Sequence, residues 1–279
     1  MKWVLALLVL LGLQARGQQV VDLYIIEGVV TDGNYDLPYF TFNTKAQFDS
    51  SNIVLRFQPG DEVTFRVTNQ TDFTCGFEVE DHGGIEKIAA NETEEVTMTF
   101  SNEGTFLYQD PINDHRALGL GGMLVVSSFQ GPEYFGVFTE HNADWIEAIA
   151  EGGTYDRRSY HPDAFTINGR GFPSTLRDTV AFIMGSVGDT IRVHMTNAGM
   201  MYHFPHWHGY HVKILDATVH KQYIGWSKDS YGMAPGESIT VELVPDKPGK
   251  YPMHNHNLVT TTIGGNYPGG MMMHMHIHE

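Results

Sequence analysis

Short runs of alternating apolar and polar residues recur along the chain, and each run ends in residues that favour turns. Residues 53–57 and 63–69 alternate in this way on either side of a Pro-Gly-Asp turn at residues 59–61. Such alternation places one face of a strand against a core, and the turn between the runs is typical of a hairpin. Similar runs continue through residues 73–127 and resume from residue 165. The pattern predicts an all-β sandwich rather than alternating strands and helices.

One segment departs from the strand pattern and predicts a helix. Residues 144–150 (Asp-Trp-Ile-Glu-Ala-Ile-Ala) precede two glycines that favour the end of a helix. We assign this short helix to a connecting segment, residues 131–163. The sequence therefore predicts two domains, at residues 18–130 and 164–279.

The second half of the chain repeats the first. Residues 60–69 (GDEVTFRVTN) match residues 188–197 (GDTIRVHMTN), and residues 104–111 occupy the place of residues 249–256. Extending the first match without gaps pairs Cys75 with His203, Glu78 with His206 and Glu80 with His208. The second match pairs Gln109 and Pro111 with His254 and His256. The chain is therefore predicted to contain two copies of one sandwich, and the second copy has histidines where the first does not.

Two His-x-His pairs provide the main candidate for chemistry. His206 and His208 form one pair, and His254 and His256 form the other. Residues i and i+2 lie on the same face of a strand, so two neighbouring strands can direct four imidazoles towards one place. Neutral imidazole is a common ligand of copper, zinc, nickel and iron. The spacing predicts a metal site in the second domain.

Composition and charge exclude several classes of function. The chain has 33 acidic and 17 basic residues and a net charge of -16, so nucleic acids and anionic membranes are not expected partners. Its one cysteine, Cys75, excludes internal disulfides and thiolate clusters, and we expect this residue to lie in the core of a strand.

The first residues of the chain predict export. Residues 1–17 contain Lys2, an apolar run and a small-x-small pattern, which is typical of a signal peptide. No other segment is long and apolar enough to predict a membrane span. We therefore expect a periplasmic or secreted protein.

The motifs of the second half resemble those of two-domain multicopper oxidases and copper nitrite reductases. The similar segments are Phe-Thr-Ile-Asn-Gly-Arg at residues 165–170, the repeat at residues 188–197, His-x-x-His-x-His-Gly at residues 203–209, and residues 248–256 with their closing His-Asn-His. The resemblance implies two tandem cupredoxin-like Greek-key β-sandwiches with copper as the cofactor. It also implies a homotrimer in which the histidines face the first domain of a neighbouring subunit.

The same comparison of motifs implies that a blue-copper centre is absent. The family has a cysteine where this chain has Asn255, and a further histidine where it has Thr260. An amide cannot replace a soft thiolate ligand. His203 therefore lacks the thiolate partner with which it would bind blue copper in the family. We do not expect a reaction in which such a centre passes electrons from a substrate to oxygen and reduces it to water.

What remains in this interpretation is half of a copper cluster. Glu78, Glu80 and Gln109 stand at the corresponding places of the first domain, where the family has histidines. If they face the four histidines across a subunit interface, they form a mixed nitrogen and oxygen site for one or two metal ions. Solvated strand residues are the alternative interpretation of the two glutamates. Copper is the expected metal, and zinc, iron and manganese are less favoured alternatives.

Other residues are additional candidates for metal binding or for a supporting role. His203 and His211 lie in the ligand segment but outside the paired spacing, and packed strand histidines are the alternative. The end of the chain alternates as a strand, with the methionines at residues 273 and 275 on one face and His274, His276 and His278 on the other. The methionines then fill a core, and the histidines face outwards.

Residues of the first domain also occupy the counterpart of the ligand loop. They are Asp110, His115 and Arg116. Their spacing does not decide whether they line the same cavity as the four histidines.

Three functions are compatible with these features. The first is an oxidoreductase with a type-2 or type-3-like copper site. The second is a non-catalytic protein that binds and buffers copper with the four histidines and the C-terminal strand. The third is a vestigial cupredoxin with a structural or partner-binding role.

Overall fold

The computed structural model describes residues 19–32 and 35–279. The predicted signal peptide, residues 1–17, lies outside the described residues. Within the described part of the chain, no helix is long and apolar enough to cross a membrane.

Two sheets face each other in the first half of the chain. Their strands are β1 (Gln19–Asp32), β2 (Tyr35–Asn43), β3 (Leu55–Phe57), β4 (Asp61–Asn69), β5 (Cys75–Val79), β6 (Gly83–Ile88), β7 (Thr93–Phe100), β8 (Gly104–Gln109) and β9 (Gly121–Val126). One sheet has the order β2-β1-β4-β7 and the other has the order β3-β9-β8-β5-β6. A 3-10 helix at His115–Leu118 lies between β8 and β9.

The second half forms another pair of sheets and the described α-helix. The elements are β10 (Glu133–His141), α1 (Ala143–Ala150), β11 (Ala164–Ile167), β12 (Ile183–Ser186), β13 (Ile191–Asn197), β14 (Pro205–Trp207), β15 (Val212–Ala217), β16 (Ser227–Lys228), β17 (Ser238–Leu243), β18 (Gly249–Asn255) and β19 (Met272–His278). The sheets have the orders β11-β10-β13-β17-β15-β16 and β12-β19-β18-β14. Further 3-10 helices lie at Arg157–Ser159, Ser174–Arg177, Lys221–Tyr223 and Leu258–Thr261.

The predicted repeat is confirmed by the pairing of the strands. In the first sandwich β1 runs parallel to β4 and β3 runs parallel to β9. In the second sandwich β10 runs parallel to β13 and β12 runs parallel to β19. The all-β fold of two tandem sandwiches that the alternating pattern predicted is therefore confirmed.

The segment predicted to be a linker, residues 131–163, contributes elements to both sandwiches. Strand β10 extends the six-stranded sheet of the second sandwich by pairing with β13, so this sandwich begins at Glu133. Helix α1, by contrast, buries Trp145, Ile146 and Ile149 in the core of the first sandwich. Its first turn is capped by Asn142, whose side chain accepts a hydrogen bond from the amide of Trp145.

Aromatic and aliphatic side chains fill the first core, and methionines fill much of the second. Phe42 packs edge-on against both Phe77 and Tyr108 in the first core, a geometry that suits the charge distribution of aromatic rings. Met253, Met273 and Met275 are buried in the second core. The expected alternation of β19 is confirmed, because Met273, Met275 and Ile277 face inwards and the three histidines face the other side.

The two sandwiches are joined by an apolar layer and a polar pair. Buried side chains from β8, β9, β10 and β13–β14 form this layer: Leu107, Met123, Val125, Phe135, Val137 and Ala198. Beside it, the Thr105 hydroxyl lies 2.7 Å from Nδ1 of His194, and Nε2 of His194 lies 3.1 Å from the Glu133 carboxylate. His194 therefore connects the domains, which accounts for this histidine without a metal.

Candidate metal centre

The pairing of β14 with β18 brings the predicted histidines together. His206 lies opposite His254 in this antiparallel pair, and the neighbouring positions Trp207 and Met253 face the core. The centroid of the His206 ring lies 4.8 Å from that of His208, 5.6 Å from that of His254 and 5.0 Å from that of His256. The four histidines therefore form one group on the outer face of the sheet.

Hydrogen bonds orient two of these rings through Nδ1. Nδ1 of His254 donates to the carbonyl oxygen of Asn255 at 2.9 Å. Nδ1 of His206 lies 2.8 Å from the Ser230 hydroxyl and 3.1 Å from the carbonyl oxygen of Asp229. A proton on Nδ1 leaves the Nε2 lone pair available to a metal, which is the usual role of such a partner around a ligating histidine.

The distance between two of the free nitrogens fits a shared cation. Nε2 of His208 lies 3.0 Å from Nε2 of His254. Two imidazole nitrogens bound to one ion at about 2.0–2.1 Å lie about 3 Å apart. Burial, together with the neighbouring His206, His254 and His256, lowers the pKa of His208. A lower pKa favours the neutral imidazole, which is the form that binds metals. The donor set therefore fits copper or zinc.

The histidine group opens to solvent beside an apolar surface. His256 is exposed and the other three rings are partly exposed. The side chains around them include Tyr202, Phe204, Leu258 and Val259, which are 49%, 39%, 64% and 63% exposed. The amide of His256 donates to the carbonyl oxygen of Phe204, so this apolar surface and the histidines belong to one structural unit.

The residues at the blue-copper position form a closed hydrogen-bond network. The Asn255 amide nitrogen donates to Nδ1 of His203 at 2.8 Å, and its amide oxygen accepts from the backbone of Phe204 at 2.7 Å. Nε2 of His203 donates to the Glu140 carboxylate at 2.6 Å. The hydroxyl of Thr260 donates to the Asn257 carbonyl. His203 therefore has no free ring nitrogen, and a blue-copper ion does not fit these residues.

Glu140 is a central residue of this network that the sequence did not reveal. Its carboxylate is buried and accepts hydrogen bonds from His203, from the Tyr160 hydroxyl and from the backbone amides of Met200 and Met201. Burial alone raises the pKa of this carboxyl, but the His203 hydrogen bond and the other donors outweigh it and lower the pKa below its ordinary value. No local motif marks Glu140, because its partners are distant in the sequence.

The candidate residues of the first domain lie apart from the histidines within one chain. Glu78 faces Gln109 across β5 and β8, and the Gln109 amide donates to its carboxylate at 2.7 Å. Arg116 donates to the Gln109 oxygen at 3.0 Å. Burial raises the pKa of Glu80, which lies near Thr218 of the second domain. Among residues 19–32 and 35–279, neither glutamate forms a hydrogen bond with the four histidines.

The remaining candidate histidines occupy two other places. His211 is exposed just beyond the ligand segment. His274 lies beside Phe172 and His276 beside Phe182 in β19, with 6.3 Å between the two imidazole centroids. Because β19 is the neighbour of β18 and His254 lies opposite Met272, the histidines of β19, including His278, belong to the same sheet face as His254.

Comparisons with known proteins agree with this fold. Residues 150–279 match the family model of multicopper oxidases. The blue copper oxidase from Nitrosomonas europaea is 24% identical with a TM-score of 0.80, over 94% of this chain and 86% of that chain. A multicopper oxidase named mgLAC is 21% identical with a TM-score of 0.78, over the same shares of the two chains. Copper nitrite reductase from Nitrosomonas europaea is 20% identical with a TM-score of 0.71, over 94% of both chains.

These likenesses confirm the cupredoxin-like fold and the resemblance on which the expectation of copper was based. A comparison with curated proteins gave no match. The single cysteine of the chain agrees with the predicted lack of a blue-copper thiolate, since that residue is Cys75 and not a member of the histidine group.

Replacing Glu140 tests the closed network beside the histidines. We expect Glu140→Gln to lower the free energy of unfolding by about 3–5 kcal/mol. The amide has a single acceptor oxygen, so its NH2 group must face either the Nε2–H of His203 or the donors on the other side of the carboxylate. Urea unfolding measures the change. The exposed Glu86→Gln is the matched control and should change stability by less than about 0.5 kcal/mol.

The same variant should alter the response to acid. A lowered folded-state pKa stabilises the fold above the unfolded value of about 4.3, and this stabilisation is lost as the pH falls through the folded value. Stability of the unchanged protein should therefore fall more steeply below about pH 4.3 than that of Glu140→Gln. Equal slopes would show that the pKa of Glu140 does not differ between the folded and unfolded states.

Proposed function

We propose that this chain binds copper through His206, His208, His254 and His256 and acts as an oxidoreductase without a blue-copper centre. The observation that carries the proposal is the 3.0 Å separation of the His208 and His254 Nε2 atoms, with Nδ1 of His254 bound to a backbone carbonyl. Two lone pairs at this distance require a proton or a metal ion between them. The family model matched by residues 150–279 implies copper as the cofactor.

Copper bound to these imidazoles would supply one-electron redox chemistry towards oxygen or a small oxidisable substrate. The chain itself orients the rings through their Nδ1 hydrogen bonds and excludes water on the core side with Trp207 and Met253. The closed network at His203 and Asn255 offers no site for a second, electron-relaying copper. Electrons would therefore come from a substrate that binds at the histidines.

We also propose that a neighbouring subunit completes the centre, as the resemblance to trimeric relatives implies. Glu78 and Gln109 face each other on β5 and β8 just as His206 and His254 do on β14 and β18. An acidic and amide surface of one subunit then lies opposite the imidazoles of the next. The exposed apolar side chains around the histidines favour such contact, because clustered apolar surface marks interaction sites.

Export to the periplasm or the outside of the cell belongs to the same proposal. It is supported by the apolar run and the small-x-small pattern within residues 1–17. N-terminal sequencing of the protein recovered from the extracytoplasmic fraction should begin near Gln18. An intact Met1 on that protein would contradict a cleaved signal peptide.

Non-catalytic copper binding is the second candidate, and the position of β19 favours it. His274, His276 and His278 share the outer sheet face with His254 and extend the imidazole surface beyond the four-histidine group. A surface of this kind suits the binding of several copper ions that exchange readily. The two functions differ in the number of copper ions bound per chain and in whether a substrate is oxidised.

Copper binding should depend on the paired histidines. We expect His206→Ala with His254→Ala to weaken the tightest copper binding about a hundredfold or more, since two of the four imidazoles are lost. Equilibrium dialysis against a copper chelator, with copper measured by mass spectrometry, gives the affinity. His211→Ala is the matched control, because this histidine is exposed in the same segment but lies outside the group. Unchanged affinity in the double variant would refute the site.

Copper binding measured together with oxidase activity separates the two candidate functions. Joint replacement of His274, His276 and His278 by alanine should leave the tightest copper and any oxidase activity intact if the site is catalytic. A large loss of bound copper, together with no oxidation of phenols by the unchanged protein, would favour the buffering function.

Subunit assembly should depend on the apolar surface beside the histidines. We expect Val259→Asp to shift the trimer towards the monomer, because the substitution places a charge in the contact. Sedimentation velocity measures the mass. Val244→Asp is the matched control, because Val244 is 51% exposed and follows β17, a strand of the sheet that does not carry the four histidines. A protein that is monomeric before any substitution would contradict the proposed assembly.

A further inference from the structure

A separate group of potential ligands lies inside the first sandwich. Cys75 begins β5, Asp110 follows β8, and His115 begins the 3-10 helix after it. The thiol sulfur, a carboxylate oxygen and an imidazole nitrogen lie within 4.8 Å of one another. The three residues are 0%, 2% and 7% exposed. Sulfur, oxygen and nitrogen donors from three elements therefore meet at a buried point.

This point corresponds to the closed network of the second sandwich. Cys75 stands in the register of His203, and Asp110 stands in that of Asn255. The backbone confirms the second match, since the Asp110 amide donates to the Leu120 carbonyl as the Asn255 amide donates to the Met271 carbonyl. The fold thus places comparable clusters of buried polar side chains in both halves.

The two clusters differ in how their polar groups are hydrogen-bonded. Around His203, strong hydrogen bonds occupy both ring nitrogens. In the first sandwich, Nδ1 of His115 lies 2.8 Å from the Asp110 carboxylate. The sulfur of Cys75 forms weaker hydrogen bonds, at 3.6 Å from the Thr71 hydroxyl and 4.0 Å from the Phe73 carbonyl. The thiol is therefore the least satisfied member of the group, and it faces two groups that also bind metals.

We propose that Cys75, Asp110 and His115 bind a divalent transition metal ion of the zinc type. Zn²⁺ accepts thiolate, carboxylate and imidazole ligands together. On binding, the Cys75 sulfur loses its proton to solvent and forms a bond to the metal, while Asp110 and His115 exchange their mutual hydrogen bond for metal bonds. One thiolate and one carboxylate neutralise the charge of the dication, which reduces the free-energy cost of burying it. This site is independent of the four histidines.

A cavity beside His115 provides a path for the ion. It has a volume of about 760 Å³ and extends from Phe73 and the loop at residues 111–114 to the end of helix α1. His115 lines this cavity, while Cys75 and Asp110 lie deeper in the core. An ion entering from solvent would therefore meet the imidazole first and the thiol afterwards.

Titration of the metal-free full-length protein with Co²⁺ tests the proposal. Co²⁺ adopts the tetrahedral coordination of Zn²⁺, and a thiolate ligand gives it an intense near-ultraviolet charge-transfer band. Because Cys75 is the only cysteine of the chain, any such band must come from this site. We expect the band to appear with the unchanged protein and to disappear when excess Zn²⁺ is added.

Variants assign the ligands and separate the two metal sites. Cys75→Ser should abolish the band, and His115→Ala should reduce it strongly. His206→Ala with His254→Ala should retain it, so failure of this site and failure of the four-histidine site are distinguishable. Circular dichroism establishes that each variant is folded. If Co²⁺ binds to the unchanged protein without a thiolate band, or if no Co²⁺ binds, the proposed site is wrong.

Discussion

The register between β14 and β18 is the constraint on which the histidine site depends. His206 and His254 face each other across this pair, while Trp207 and Met253 lie on the core side. Side chains alternate between the faces of a strand, so a slip by one residue would turn the histidines into the core and expose a tryptophan and a methionine. The apolar core of the second sandwich thereby fixes the geometry of a polar site on its surface.

The other side of the same strands shows how a family metal position is filled by protein groups. The Asn255 amide nitrogen contacts both Nδ1 of His203 and the Met271 sulfur. The Glu140 carboxylate accepts a hydrogen bond from Nε2 of the same imidazole. A buried polar cavity is stable when all its donors and acceptors are paired. The network meets this condition with side chains and backbone amides, so a fully paired cluster lies directly behind the outward-facing histidines.

Local patterns in the sequence predicted the strands, the repeat and the paired histidines, because each depends on spacing within one segment. They did not predict that β10 joins the second sheet while helix α1 packs into the first core, since both depend on contacts between distant residues. The role of Glu140 could not be predicted from the sequence for the same reason. The orientation of Glu80 towards Thr218 also follows from domain packing rather than from alternation along β5.

The connecting segment makes the two repeats mutually dependent. Strand β10 belongs to the second sheet, and the next element, α1, fills the first core with Trp145 and Ile146. A cut before β10 would leave the first sandwich without its helix, and a cut after the helix would leave the second sheet without a parallel strand. The two repeats of the sequence are therefore interlocked by exchanged elements, and no single cut between them gives two halves that each keep a complete sheet and a complete core.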